Sequence, residues 1–203
     1  MLFRSDAAKT AGTPPAPDAA GIAPSTNPAA DLEAALKQAQ AQRKSGDFQG
    51  AAKTLGQLIL FSADDGRVLT EYGKTLVSLG RSDDAISFLE RAMQLLPPDW
   101  SVYSALGVAY DQKGNYPAAR AAYSQALTLK PGEPTVLNNA AMSYMQSGDL
   151  ESAQRLLQQA APGTTEFPRI SQNMTLVQSL KAAHPAAPAA PAQAQTPAAA
   201  PPP

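Results

Sequence analysis

The chain contains no cysteine. That excludes disulfides, thiolate metal sites, a cysteine nucleophile and a lipid anchor carried on cysteine. It has one histidine, His184, which opens a proline-rich stretch. A general base needs fixed geometry beside its substrate, and such a stretch does not supply it. Charge is sparse as well: Asp, Glu, Lys and Arg make up 16% of 203 residues, and the net charge is −1. No basic face is evident, so no nucleic-acid partner is expected. No apolar run approaches the roughly 18 residues of a membrane span. Met1-Leu2-Phe3-Arg4 passes quickly into Ala/Pro sequence, without the apolar core of about 7–15 residues that a signal peptide needs. Membrane attachment is therefore expected only through a lipid anchor absent from this chain.

What is present is unevenly distributed. Of nineteen prolines, five lie in residues 1–30 and seven in 184–203, with mostly alanine around them. Such sequence has little large apolar surface with which to offset the entropy of ordering. Segments 1–29 and 184–203 are expected to be disordered spacers, and 30–183 a single folded domain.

Within that domain a pattern returns every 34 residues. Tyr72-Gly73, Leu106-Gly107 and Ala140-Ala141 are so related, as are Gly80, Gly114 and Gly148, then Ala85, Ala119 and Ala153, then Ala92, Ala126 and Ala160. Pro97 and Pro131 close two of the units. A fixed period of this length marks stacked helical hairpins, and this one is the tetratricopeptide value. The expected fold is an all-α helical-hairpin solenoid, a right-handed superhelix. Its repeats are 32–65, 66–99, 100–133 and 134–167, followed by a capping helix over 169–182. Gly107 and Ala119 are small where two helices approach closely, and Tyr103, Tyr110 and Tyr123 are large fillers. Gly114 suits a left-handed helix C-terminus, and Pro117 the first turn of the next helix. Ser82 is expected to cap the second helix of its unit. Unit 32–65 is the least regular, with Gln38 and Gln42 where large apolar residues belong.

Signs of chemistry have plainer readings. Gly73-Lys74-Thr75 resembles the end of a phosphate loop, but position 68 is valine and no strand precedes it. Asp64-Asp65 and Asp83-Asp84 stand at helix starts, where capping accounts for them. No catalytic residue, metal site or cofactor site is expected. The expected function is to bind a protein or peptide on the concave face lined by the first helix of each hairpin. Positions that point inward are Arg67, Thr70, Lys74 and Ser78, then Ser104, Val108, Asp111 and Gln112, then Asn138, Met142, Met145 and Gln146. These are expected to be free for a partner, so that changing Asp111 and Asn138 together leaves stability nearly intact. Arg120 is expected on the convex side. Met142 and Met145 suit either an adaptable groove or packing on the next helix. The surface lacks the Lys/Asn set that would clamp a terminal carboxylate.

One ordered series narrows the choice: Leu106-Gly107-Val108-Ala109-Tyr110-Asp111 with Gly114, Asn138-Asn139 with Ser143, Gly148-Asp149, and Arg169 with Gln172-Asn173, Leu176 and Val177. It resembles the TadD family of Flp/Tad pilus assembly proteins, over about residues 32–180. The resemblance implies a non-enzymatic accessory protein of type IVb pilus assembly or secretion. Secretin or pilus-assembly components would be its partners, and it would lie on the periplasmic side of the outer membrane. The chain departs from that pattern in carrying neither signal peptide nor lipidated cysteine, which leaves the cytoplasm as the alternative compartment. Other expected roles are a general adaptor in envelope biogenesis, or a regulatory module of a larger assembly.

Overall fold

The computed structural model describes residues 28–160 and 168–183. The described residues form nine helices and no strand: α1 Pro28–Ser45, α2 Phe48–Phe61, α3 Gly66–Ser78, α4 Ser82–Leu95, α5 Trp100–Gln112, α6 Tyr116–Leu129, α7 Pro134–Gln146, α8 Leu150–Ala160 and α9 Pro168–Ala183. They pair as four hairpins and a final helix. Helix α1 begins two residues inside the segment read as an N-terminal spacer. The rest of both expected spacers lies outside the described residues, as does His184.

The hairpin turns follow from the repeat. Gly46, Gly80, Gly114 and Gly148 all have positive φ, between 71° and 88°, a region that penalises any Cβ. Two residues after each glycine, a second helix starts. Asp47, Asn115 and Asp149 each accept a backbone N–H of that helix's first turn, from Gly50, Ala118 and Ser152. Arg81 occupies the same register and makes no such bond; it pairs instead with Asp84 at 2.6 Å. Ser82 is therefore not the cap that the sequence suggests. Its hydroxyl donates across units to Gln112 Oε1 at 2.6 Å. At the start of first helices, Asp65 accepts from the amides of Arg67 and Val68, and Asp99 from that of Ser101.

Each apolar cluster joins one hairpin to the next. Leu36, Ala39, Leu55 and Val68 link the first two. Leu76, Leu89, Val102 and Leu106 link the second and third. Tyr123, Ala126, Val136 and Ala140 link the third and fourth, and Leu137, Leu157, Ile170 and Val177 fasten α9. Gln42, where Leu76, Tyr110 and Tyr144 stand in later units, accepts instead from the Thr54 hydroxyl at 3.0 Å. Helix α9 packs through Ile170 and Val177, while Ser171, Thr175 and Gln178 are exposed where a second helix of its own would lie. A polar outer face of this kind closes a solenoid.

First helices touch one another in sequence, α1 to α3, α3 to α5, α5 to α7 and α7 to α9, whereas second helices stand farther apart from each other. A stack whose members approach more closely on one side curves toward that side. The first helices therefore line the inner face.

Candidate functional site

The inner face is built from polar side chains that point along the stack, and most are already engaged. Arg43 donates Nε and Nη2 to Glu71 Oε2 at 3.2 and 3.1 Å, which ties α1 to α3. Lys74 Nζ donates to Ser101 Oγ at 2.8 Å, which ties α3 to α5. Gln112 Nε2 donates to the Val77 carbonyl at 3.0 Å, while its Oε1 takes the Ser82 hydroxyl. Asn138 Oδ1 accepts from Asn173 Nδ2 at 2.8 Å, which ties α7 to α9. Lys74, Gln112 and Asn138 are thus couplings between units, not the free groove residues expected from their register. Spacing shows which way a helix position points, but not whether a neighbour 27–35 residues away already answers it.

Asp111 is the centre of the most developed coupling. Its Oδ1 accepts from Ser143 Oγ at 2.6 Å and its Oδ2 from Tyr123 Oη at 2.8 Å. Burial pushes the carboxyl above its ordinary value; the Ser143 and Tyr123 hydroxyls and the charge of Arg120 oppose this without cancelling it. The Tyr123 phenol is also raised, by its burial first and then by the Asp111 charge. Asp111 therefore joins α5, α6 and α7, and changing it together with Asn138 is not neutral for stability.

The remaining inward positions divide. Arg67 is exposed at the rim and pairs with Asp65 at 2.8 Å and with Glu33. Thr70 is 6% exposed, and its buried hydroxyl has no partner among the described residues. Ser104 is buried, and Ser78 is exposed with its hydroxyl on the Lys74 carbonyl at 3.3 Å. Met145 packs against the cluster around Leu137 and Leu157. Met142 instead lines a cavity of about 180 Å³ that opens on the inner face between α5 and α7. Val108, Asn139 and Gln146 line it with Met142, as do Asp111, Gln112 and Tyr123.

Sequence reasoning missed Glu71, Tyr123, Asn139 and Ser143 as parts of this face. Tyr123 carried a signal, since it stands where Leu55, Leu89 and Leu157 stand in the other units. Arg120 is not a plain convex residue. Its guanidinium lies 5.0 Å over the Tyr144 ring and its Nη1 donates to Ser147 Oγ at 3.1 Å. It borders a second cavity, of about 350 Å³, with Leu127, Tyr144 and Leu156. Among the described residues there is no cluster of three or more His, Cys, Asp or Glu side chains placed to hold a metal ion. No described helix is long and apolar enough to cross a membrane.

Two tetratricopeptide repeat models match the chain, one over residues 36–99 and 72–134, the other over 112–183. The chain belongs to the tetratricopeptide repeat family. Among solved structures, a crystal structure of MamA superposes with a TM-score of 0.59 at 23% identity, over 71% of this chain and 84% of that one. The MamA MSR-1 structure gives 0.54 at 32% identity, over 64% and 75%. The APC/C hetero-tetramer Cut9-Hcn1 gives 0.65 at 20% identity, over 70% of this chain and 29% of that one. A curated relative, the probable biofilm formation methyltransferase WspC of Pseudomonas putida, is 35% identical over 94 residues. That match takes in 46% of this chain and only 22% of the relative. What the solved structures share with this chain is the fold.

Proposed function

We propose that this protein is a non-enzymatic scaffold that captures a protein or peptide segment on its inner face. The observation that carries the reading is the continuous row of first helices, locked in register by inter-unit couplings and open at the Val108–Met142 cavity. Repeat arrays present such curved surfaces to extended segments or helices through a few anchors.

The proposal extends to Flp/Tad pilus assembly, with secretin or pilus-assembly components as partners at the periplasmic face of the outer membrane. That step is supported by the residue series shared with the TadD family alone. A second reading is favoured by the WspC match: a regulatory module of a larger assembly, since the matched 94 residues are only 22% of that protein.

The test uses residues free of internal couplings. Met142→Lys and Gln146→Lys on the inner face, and Gln125→Lys on exposed α6, are compared for capture of partners from a lysate of the source organism, secretin and pilus proteins included. Inner-face changes should abolish capture with melting temperatures unchanged, and Gln125→Lys should retain it. Loss from Gln125→Lys with retention by the inner-face pair would refute the reading.

A further inference from the structure

We infer that the cavity between α5 and α7 is a receptor for one basic side chain, a lysine or arginine of the captured segment, with Asp111 as its counter-charge. This rests on the inner face being the binding face, and it names the chemistry read there.

The first ground is the cavity itself. At about 180 Å³ it has the scale of one side chain, not of a small-molecule pocket, for which roughly 300 Å³ is a lower bound. Its walls match a long cationic side chain in two parts. Val108 and Met142 offer apolar surface for the methylene stem, and Asn139 and Gln146 line the same cavity with side-chain amides, whose oxygens are of the type that accepts from an ammonium or guanidinium.

The second ground is the state of the carboxylate. An ionised Asp has about four lone-pair sites, and Asp111 uses one on each oxygen, for Ser143 and Tyr123. Both donors are neutral. No Lys or Arg among the described residues comes within 4.0 Å of it, whereas Glu71, also on this face, is paired with Arg43 at 3.1 Å. Arg120, whose charge Asp111 feels, is committed to Tyr144 and Ser147. A half-buried charge without a counter-ion is costly, and an incoming ammonium or guanidinium relieves that cost.

The third ground is the repeat. At the position of Asp111 the other units carry Arg43, Val77 and Met145; at that of Tyr123 they carry leucine; at that of Ser143 they carry Ala41, Thr75 and Ala109. The other three junctions along the array assemble without this triad. Stacking therefore does not demand an acid here, and two departures from the repeat that line one cavity, Asp111 and Tyr123, with Ser143 bonded to Asp111, point to a use beyond packing.

The experiment titrates isotope-labelled full-length chain with acetyl-Ala-Ala-Ala-X-Ala-Ala-amide peptides, X being lysine, arginine, glutamine, norleucine or glutamate. The readouts are the side-chain amides of Asn139 and Gln146 and the Met142 methyl. The lysine and arginine peptides should shift these signals saturably, at least about tenfold more tightly than the neutral ones, a difference of roughly 1.4 kcal/mol. Asp111→Asn should erase the preference. Gln146→Lys, which sets a tethered cation at the mouth without touching the triad, should block the basic peptides while the melting temperature holds. Equal binding of norleucine and lysine, shifts confined to another surface, or undiminished lysine binding by Gln146→Lys would overturn the assignment. If the inner-face substitutions still abolish partner capture in that event, the scaffold reading stands and only the basic-residue preference falls.

Discussion

At the scale of single residues, Gly107 and Tyr123 are one decision. A Cβ on Gly107 would lie 2.4 Å from Tyr123 Cε1, so the ring, only 2% exposed and tied to Asp111 through its hydroxyl, would have to shift. Gly73 stands in the same relation to Leu89, at 2.6 Å. Elsewhere the array uses alanine opposite leucine, Ala39 with Leu55 and Ala141 with Leu157. Gly107→Ala should thus cost about 1–3 kcal/mol by overpacking. Combined with Tyr123→Leu it recreates the Ala141–Leu157 pair, so the double variant should lose less than the sum of the two singles in urea melts. Additive losses would place the clash elsewhere. Asp111 gives a second prediction at this scale, with its sign fixed by the raised folded-state pKa. Between its ordinary value of 3.8 and the higher folded value, the native state binds more protons than the unfolded state. Its contribution is therefore fully present below 3.8 and is lost as pH rises through the folded pKa. Asp65, Glu133 and Asp149, all lowered by hydrogen bonds, work in the opposite sense and lose stability as pH falls. Melts of the wild type and Asp111→Asn across the acid range should show the wild type losing ground to the variant as pH rises. A constant difference would contradict the burial of this carboxylate.

At the scale of elements, stability should fall toward the ends of the array. Helix α1 buries only Leu36 and Ala39, and α9 only Ile170 and Val177, whereas α3 buries nine residues. In a solenoid each unit depends on its neighbours, and the end units have one neighbour each. Amide exchange should show α1 and α9 opening before α3 to α6. Ile170→Ala should cost about 2–5 kcal/mol if α9 is part of the cooperative unit, and its main visible effect should be faster exchange over α7 to α9. Uniform exchange across all helices would contradict this gradient. The elements themselves were legible in the sequence, because the 34-residue period, the turn glycines and Asp47, Asn115 and Asp149 recur at fixed register. The Ser82 cap was misread for a physical reason. Serine is a good capping residue by type, but the register assigns the cap to Arg81, and the Ser82 hydroxyl meets a stronger claim from Gln112 one unit away.

At the scale of the molecule, the inner face is a framework with few vacancies. The sequence indicated which helices line it, because the side-chain period and the repeat together settle orientation. It did not indicate that Lys74, Gln112 and Asn138 are spent on holding units together, because those bonds reach across 27 to 35 residues of chain. What remains for a partner is narrow: Val108, Asn139, Met142 and Gln146 around one cavity. The measurement that tests the central claim most directly is site-specific photocrosslinking in living cells of the source organism. A photoreactive amino acid is placed in turn at Val108, Met142 and Gln146 on the inner face, and at Ser87, Gln94 and Gln125 on the second helices. The account predicts one discrete adduct from the inner positions and none from the outer ones. Adducts from the outer positions alone would contradict it.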